Sequence, residues 1–188
     1  MELPPDRFKR FLPLPVTLVT SLDAEKIVNA APYSCVMPIL RPLDLIALAS
    51  ALPRDTLRNI RHTREFVVNV MGRPGFRQAL QCARNYPPEV DELAEVGLAT
   101  QPAKKVSPPR VAEALGWIEA VLEQEVTGEN YVLIIGRVLC AEINDRYWAE
   151  DKLAEPPLVL LSPQLFSLGE NLVEDQGALA QVAGELKY

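Results

Sequence analysis

Val111-Ala112-Glu113-Ala114-Leu115-Gly116-Trp117-Ile118-Glu119-Ala120-Val121-Leu122-Glu123-Gln124-Glu125-Val126 admits two readings that belong to different fold classes. Its Ala, Leu, Glu and Gln content favours a helix on propensity alone. Taken with period two from Ile118, it puts Ile118, Ala120, Leu122 and Val126 on one face and Glu119, Glu123 and Glu125 on the other, the pattern of a half-buried strand. Gly116 interrupts the helical alternative, because glycine inside a helix costs backbone entropy.

The flanking sequence favours β structure. Tyr131 to Asn144 is a long apolar run with Val132, Ile134, Val138 and Cys140 on one parity and Leu133, Ile135, Leu139 and Ala141 on the other. Leu14 to Thr20, Leu43 to Ser50 and Glu65 to Met71 have strand length and strand composition, and Glu155-Pro156-Pro157 makes a rigid entry before the apolar Leu158 to Leu161. Two short helices are predicted between them. Asp55 to Thr63 carries Leu57 and Ile60 three apart, and Phe76 to Arg84 carries Ala79, Leu80 and Ala83 on one face. Proline supplies 17 of the 188 residues, well above the usual share of about 5%. Such a chain consists of short segments with stiff connections, which disfavours a helix bundle. No internal repeat or low-complexity linker divides it, so residues 1–188 are expected to form a single domain, with a core over about 13–168 and a tail over 169–188. Asp175 to Tyr188 within that tail has a polar helical pattern.

Composition narrows the function classes. A net charge of -6 provides no broad basic face for nucleic acid. The longest apolar run, Leu45 to Ala49, is far short of the roughly 20 residues that a membrane-spanning helix needs, so no membrane span is expected. The opening Met1 to Asp6 lacks the basic and apolar parts of a secretory signal, so a cytoplasmic protein is expected. Cys35, Cys82 and Cys140 are odd in number and far apart. They fit neither a disulfide framework nor a metal pair and are expected as buried thiols.

Side-chain catalysis finds little support. His62 is the only histidine, placed at the end of a predicted helix where the dipole suits it, so no multi-histidine metal site can form and none is expected. Gly72 and Gly75 do not make a dinucleotide loop, and no phosphate-binding P-loop is present. Asp91 and Glu92 fall in a polar run and are expected on a solvated face. Two segments stand out. Arg54, Asp55 and Thr56 open a helix after an apolar strand; Thr56 or Asp55 can cap its N–H groups, the helix start can seat a phosphate, and Arg54 adds a donor fork. Val28 to Val36 places Asn29, Ala30, Ala31, Pro32 and Ser34 in a strand with small side chains and an interrupted donor ladder, which a flat ring could approach closely.

Together, VTLVTS, NAAPYSCV and PRDTLRNIRHTREFVVNV, in that order, resemble the flavin reductase-like proteins of the FMN-binding split-barrel superfamily, flavoredoxin type. The later stretch from Glu92 to Val126, followed by Gly136-Arg137-Val138, is similar to that family's second half. The resemblance implies a mainly β fold with short helices, a six-stranded antiparallel split barrel, and an extended rather than helical Val111 to Val126. It also implies a homodimer with FMN at the subunit interface and no protein catalytic residue. On that pattern Asn29, Ala30, Ala31 and Ser34 run along the flavin ring and ribityl chain, while Ser50, Arg54, Asp55 and Thr56 surround the phosphate. The implied activity is hydride transfer from NAD(P)H to bound flavin and on to free flavin or another small-molecule acceptor. The alternatives are a flavin-binding electron carrier or sensor, and a structural dimer without cofactor. The chain departs from the pattern at Ala24-Glu25-Lys26 and at Arg64, where relatives commonly have glycine, and at Ser162 to Ser167.

Overall fold

The disputed segment is extended. In the computed structural model, which describes residues 2–40 and 42–169, Gly116 opens a twelve-residue strand. The elements in chain order are β1 (Leu14–Pro15), β2 (Thr17–Leu22), β3 (Val28–Tyr33), β4 (Val36–Pro38), β5 (Leu45–Ala51), α1 (Asp55–Thr63), β6 (Glu65–Val70), α2 (Phe76–Gln81) and α3 (Glu92–Val96). They continue with β7 (Thr100–Gln101), β8 (Arg110–Val111), β9 (Gly116–Thr127), β10 (Tyr131–Ile143), β11 (Trp148–Ala149), β12 (Lys152–Leu153), β13 (Leu158–Leu161) and β14 (Gln164–Ser167). The helical tail expected over 175–188 lies outside the described residues.

One connection determines the architecture. The main sheet has the order β3-β2-β6-β9-β10-β5-β4, which puts β3 and β4 at opposite edges. Only Ser34 and Cys35 separate them in the chain. Six strand spacings would span about 29 Å in a flat sheet, whereas the three steps from Tyr33 to Val36 reach about 11 Å at most. The sheet therefore curls until its edges approach each other, giving an antiparallel barrel split along the β3–β4 side. The Ala49 N–H to Cys35 carbonyl bond of 3.0 Å secures that crossing. The sheet has seven strands rather than six, counting the three-residue β4.

Strand alternation separates two cores. Val19, Phe66, Val68, Ala120, Leu122, Val132 and Ile134 form one cluster, with Leu57 and Ile60 of α1 packed into it. Leu18, Ala30, Val67, Met71 and Trp117 face the other cluster, which is completed by Ala79 of α2 and Leu93 of α3. Gly136 sits where a Cβ would meet the Phe66 ring at 2.5 Å, so the barrel closes over that ring only without a side chain there.

Period two holds for Ile118, Ala120 and Leu122 and then fails. The β9–β10 register shifts between Ile135 and Gly136, leaving Glu123 as an extra residue in β9. Such a bulge reverses the faces beyond it, so Val126 is 47% exposed rather than buried with Leu122. Glu119, expected on the polar face, is fully buried. Its carboxylate accepts from Arg110 Nε at 2.6 Å and from the Lys104 and Lys105 N–H groups. The Arg110 guanidinium lies 4.9 Å from the Trp117 ring centroid and also pairs with Glu142 at 2.5 Å.

Lys26 and Arg64, the departures from glycine, adopt left-handed backbone with φ of 66° and 64°. The turns keep the conformation that glycine would make inexpensive. At Arg64 the side chain compensates, donating to the Leu122 carbonyl while the backbone N–H closes α1 onto Ile60.

Candidate functional site

Where the sheet edges converge, an open cleft of about 620 Å³ lies between β3, the end of β5, the start of α1 and the segment joining α2 to α3. Asn29, Ala31, Ser34, Arg54, Asp55 and Thr56 line it, so six of the eight residues singled out from the sequence converge there. The other two sit behind the wall. Ala30 is fully buried, its side chain in the core beneath β3. Ser50 is 1% exposed, and its Oγ lies 3.1 Å from the Tyr33 hydroxyl, a side chain that does line the cleft.

The helix start differs from expectation in one respect. Neither Thr56 nor Asp55 caps α1: the cap position is Arg54, with extended backbone and no side-chain cap bond. Thr56 Oγ1 instead accepts from Asn29 Nδ2 at 2.9 Å, tying helix to strand, and Asp55 pairs with Arg58 at 2.8 Å. The N–H groups of the first turn are thus left without a side-chain acceptor, and the helix dipole favours negative charge there.

The strand side offers small side chains and few free donors. Glu92 accepts the Ala30 N–H through Oε2, and Pro32, two residues along the same edge, has no N–H. This edge presents carbonyl acceptors and cannot readily recruit another strand.

Glu92, expected from the sequence on a solvated face with Asp91, is instead buried in the wall of the cleft. Asp91 does cap α3, its Oδ1 accepting from Ala94 N at 3.1 Å, but Glu92 turns inward and is only 9% exposed. Burial, reinforced by the nearby charges of Asp55 and Asp91 and opposed by the Ala30 bond, pushes its carboxyl up to about 7. An Asp91 cap and a Gly97 stop six residues apart are helix signals that the reading as a polar run passed over; the partner 62 residues away leaves no local signal. Cys82, also in the wall, is pushed up to about 12 by burial and then by Glu92, which keeps its thiol protonated and unreactive. Of the three cysteines only Cys82 is buried; Cys35 is exposed on the cleft and Cys140 is half-buried.

The remaining candidates lie elsewhere. His62 is exposed in the last turn of α1. Ser162 to Ser167 line no part of the cleft. Glu119, Cys140 and Glu142 bring potential metal-ligand atoms within 4.8 Å of one another, and the cation among them is Arg110, which donates to all three. Among the described residues no helix is long and apolar enough to cross a membrane.

Comparison with known proteins agrees with this geometry. Residues 8–169 match the family model described as flavin reductase like domain. An uncharacterised protein of Methanothermobacter thermautotrophicus is 42% identical over 146 residues, covering 74% of this chain and 69% of the relative. Among solved structures, nitrilotriacetate monooxygenase component B from Bacillus cereus superposes with a TM-score of 0.81 at 26% identity, over 92% of this chain and 98% of that one. Flavoredoxin of Desulfovibrio vulgaris (Miyazaki F) superposes with a TM-score of 0.82 at 20% identity, over 95% and 99%, and shows the same fold. The split barrel and the matched span together place the chain in the family of flavin reductase like domain proteins.

Proposed function

We propose that the chain binds FMN in the cleft and acts as a flavin reductase-type oxidoreductase, taking hydride from NAD(P)H and delivering electrons to free flavin or another small-molecule acceptor. The observation that carries this reading is the meeting of an uncapped helix start with an edge strand of small side chains in one cleft large enough for a cofactor. Bound flavin supplies the redox chemistry, which needs no nucleophile or acid–base pair from the protein.

The chain's residues bind and orient. The first-turn N–H groups of α1 and the Arg54 fork seat the phosphate. Arg58 neutralises Asp55, which would otherwise repel that phosphate. Ala31 and Pro32 leave the β3 backbone open to a flat ring, and the Asn29–Thr56 bond fixes the spacing between ring wall and phosphate seat. Ser50 acts indirectly by holding Tyr33, and Ala30 by its bond to Glu92. A second copy of the chain closes the open side of the cleft in this reading. The exposed Met37, Leu40 and Leu43 next to the β4 edge supply apolar surface for a homodimer.

The alternative, an electron carrier using the same seat, is favoured by the departure at Ser162 to Ser167 from the pattern of reductase relatives. Anaerobic titration separates the two. Bleaching of the bound flavin by NADH or NADPH is the expected result; a flavin that binds and remains oxidised leaves the carrier. Arg54→Ala combined with Thr56→Ala is expected to weaken FMN binding at least tenfold, the loss of roughly one charge-assisted bond. Unchanged affinity in a fluorescence titration would remove the phosphate assignment.

A further inference from the structure

Glu92 is anchored in the wall of the cleft, and among the described residues its one hydrogen bond uses Oε2, on Ala30 N–H. The surrounding charges have mixed sign. Asp55 of α1 and Asp91 at the cap of α3 repel it, Cys82 after α2 is held neutral, Tyr86, Arg84 and Arg54 line the same cleft, and Asp23 and the Asp55-paired Arg58 line a small cavity on its other side. No cation pairs with it among the described residues, although Asp55, Glu119 and Glu142 are all paired. An unpaired buried carboxylate beside an anion seat opposes any anionic ligand when ionised and ceases to do so when protonated.

We propose that Glu92 is a positioning residue whose proton state sets the affinity of this cleft: it fixes the Ala30 peptide of β3 in either form, and binding of a flavin phosphate is coupled to uptake of a proton on its carboxyl. The inference rests on the flavin reading above. The sign follows from linkage. Negative charge arriving beside Glu92 raises its midpoint further, so the complex holds more protons than the free protein around and above pH 7. Affinity is highest below the free midpoint and falls as pH rises through that of the complex. The ligand's own phosphate, with a second ionisation near pH 6, has the opposite trend.

FMN titration of the full chain by fluorescence quenching, at about pH 6 and about pH 8.5, tests the coupling. Glu92→Gln keeps an acceptor for Ala30 N–H and removes the charge. The wild-type protein is expected to lose about tenfold in affinity, relative to Glu92→Gln, between the two pH values. At the higher pH, Glu92→Gln is expected to bind more tightly than wild type. Glu92→Ala, which leaves the Ala30 N–H without its partner, is expected to bind more weakly than Glu92→Gln at both. Parallel pH curves for wild type and Glu92→Gln would overturn the coupling while leaving flavin binding intact. Failure of every form to take up FMN at either pH would overturn both.

Discussion

Two buried carboxylates in this barrel have opposite environments. Glu119 is fully buried on β9, yet it is paired with Arg110 and takes two backbone N–H groups, which tie β8 and the segment before it to β9. Its neighbour Glu142, bonded to Lys104 and Arg110, is held down at about 2. Glu92 has one backbone donor and no paired cation among the described residues, and burial, helped by Asp55 and Asp91, pushes it up to about 7. The first arrangement is complete and has no polar capacity left for a ligand. The second is incomplete, and it borders the cleft. Incomplete pairing at a cavity is a sharper functional signal than carboxylate burial itself.

Removing the partner from the complete network should have the largest effect. Arg110→Met leaves Glu119 buried without its cation, and the expected loss is about 3–5 kcal/mol by urea denaturation. A loss under about 1 kcal/mol would mean that the lysine N–H groups suffice. The matching change at the incomplete site should act in the other direction. A carboxyl raised from its ordinary value to about 7 contributes stability that is full below the ordinary value and is lost as pH rises through 7. Glu92→Gln is therefore expected to stabilise the protein at pH 8 by on the order of 2 kcal/mol and to change little at pH 4. Equal melting shifts at both pH values would place the effect in packing. The smallest expected change lies in a region without carboxylate pairing. Lys26→Gly should stabilise by about 0.5–1 kcal/mol by relieving left-handed backbone. Arg64→Gly, the same relief with loss of the Leu122 bond, should come out near zero.

The sequence carried the fold well because strand lengths, prolines and the motif order agree with one another. Periodicity broke down where register shifted. Leu122 and Val126 share a parity in sequence and lie on opposite sides of a bulge, which no window around Val126 reveals. At the site, the residues on contiguous segments were legible: Asn29 to Ser34 and Arg54 to Thr56 meet at one cleft. Those whose roles depend on distant partners were not. Glu92 in a polar run and Glu119 on the polar parity of a strand were both expected towards solvent, and their environments come from Ala30 and Arg110, 62 and 9 residues away. Thr56 looked like a cap and is instead half of the Asn29 link, because the strand beside it supplies a better-placed donor.

The central claim is that the cleft at the β3–α1 junction holds a flavin. Protein purified without added cofactor, heated and centrifuged, should release FMN in a ratio approaching one per chain, and refolded apoprotein should take it up again, with the Arg54→Ala and Thr56→Ala pair lowering that uptake. Colourless protein that neither releases nor binds FMN, with the barrel intact by circular dichroism, would contradict the account.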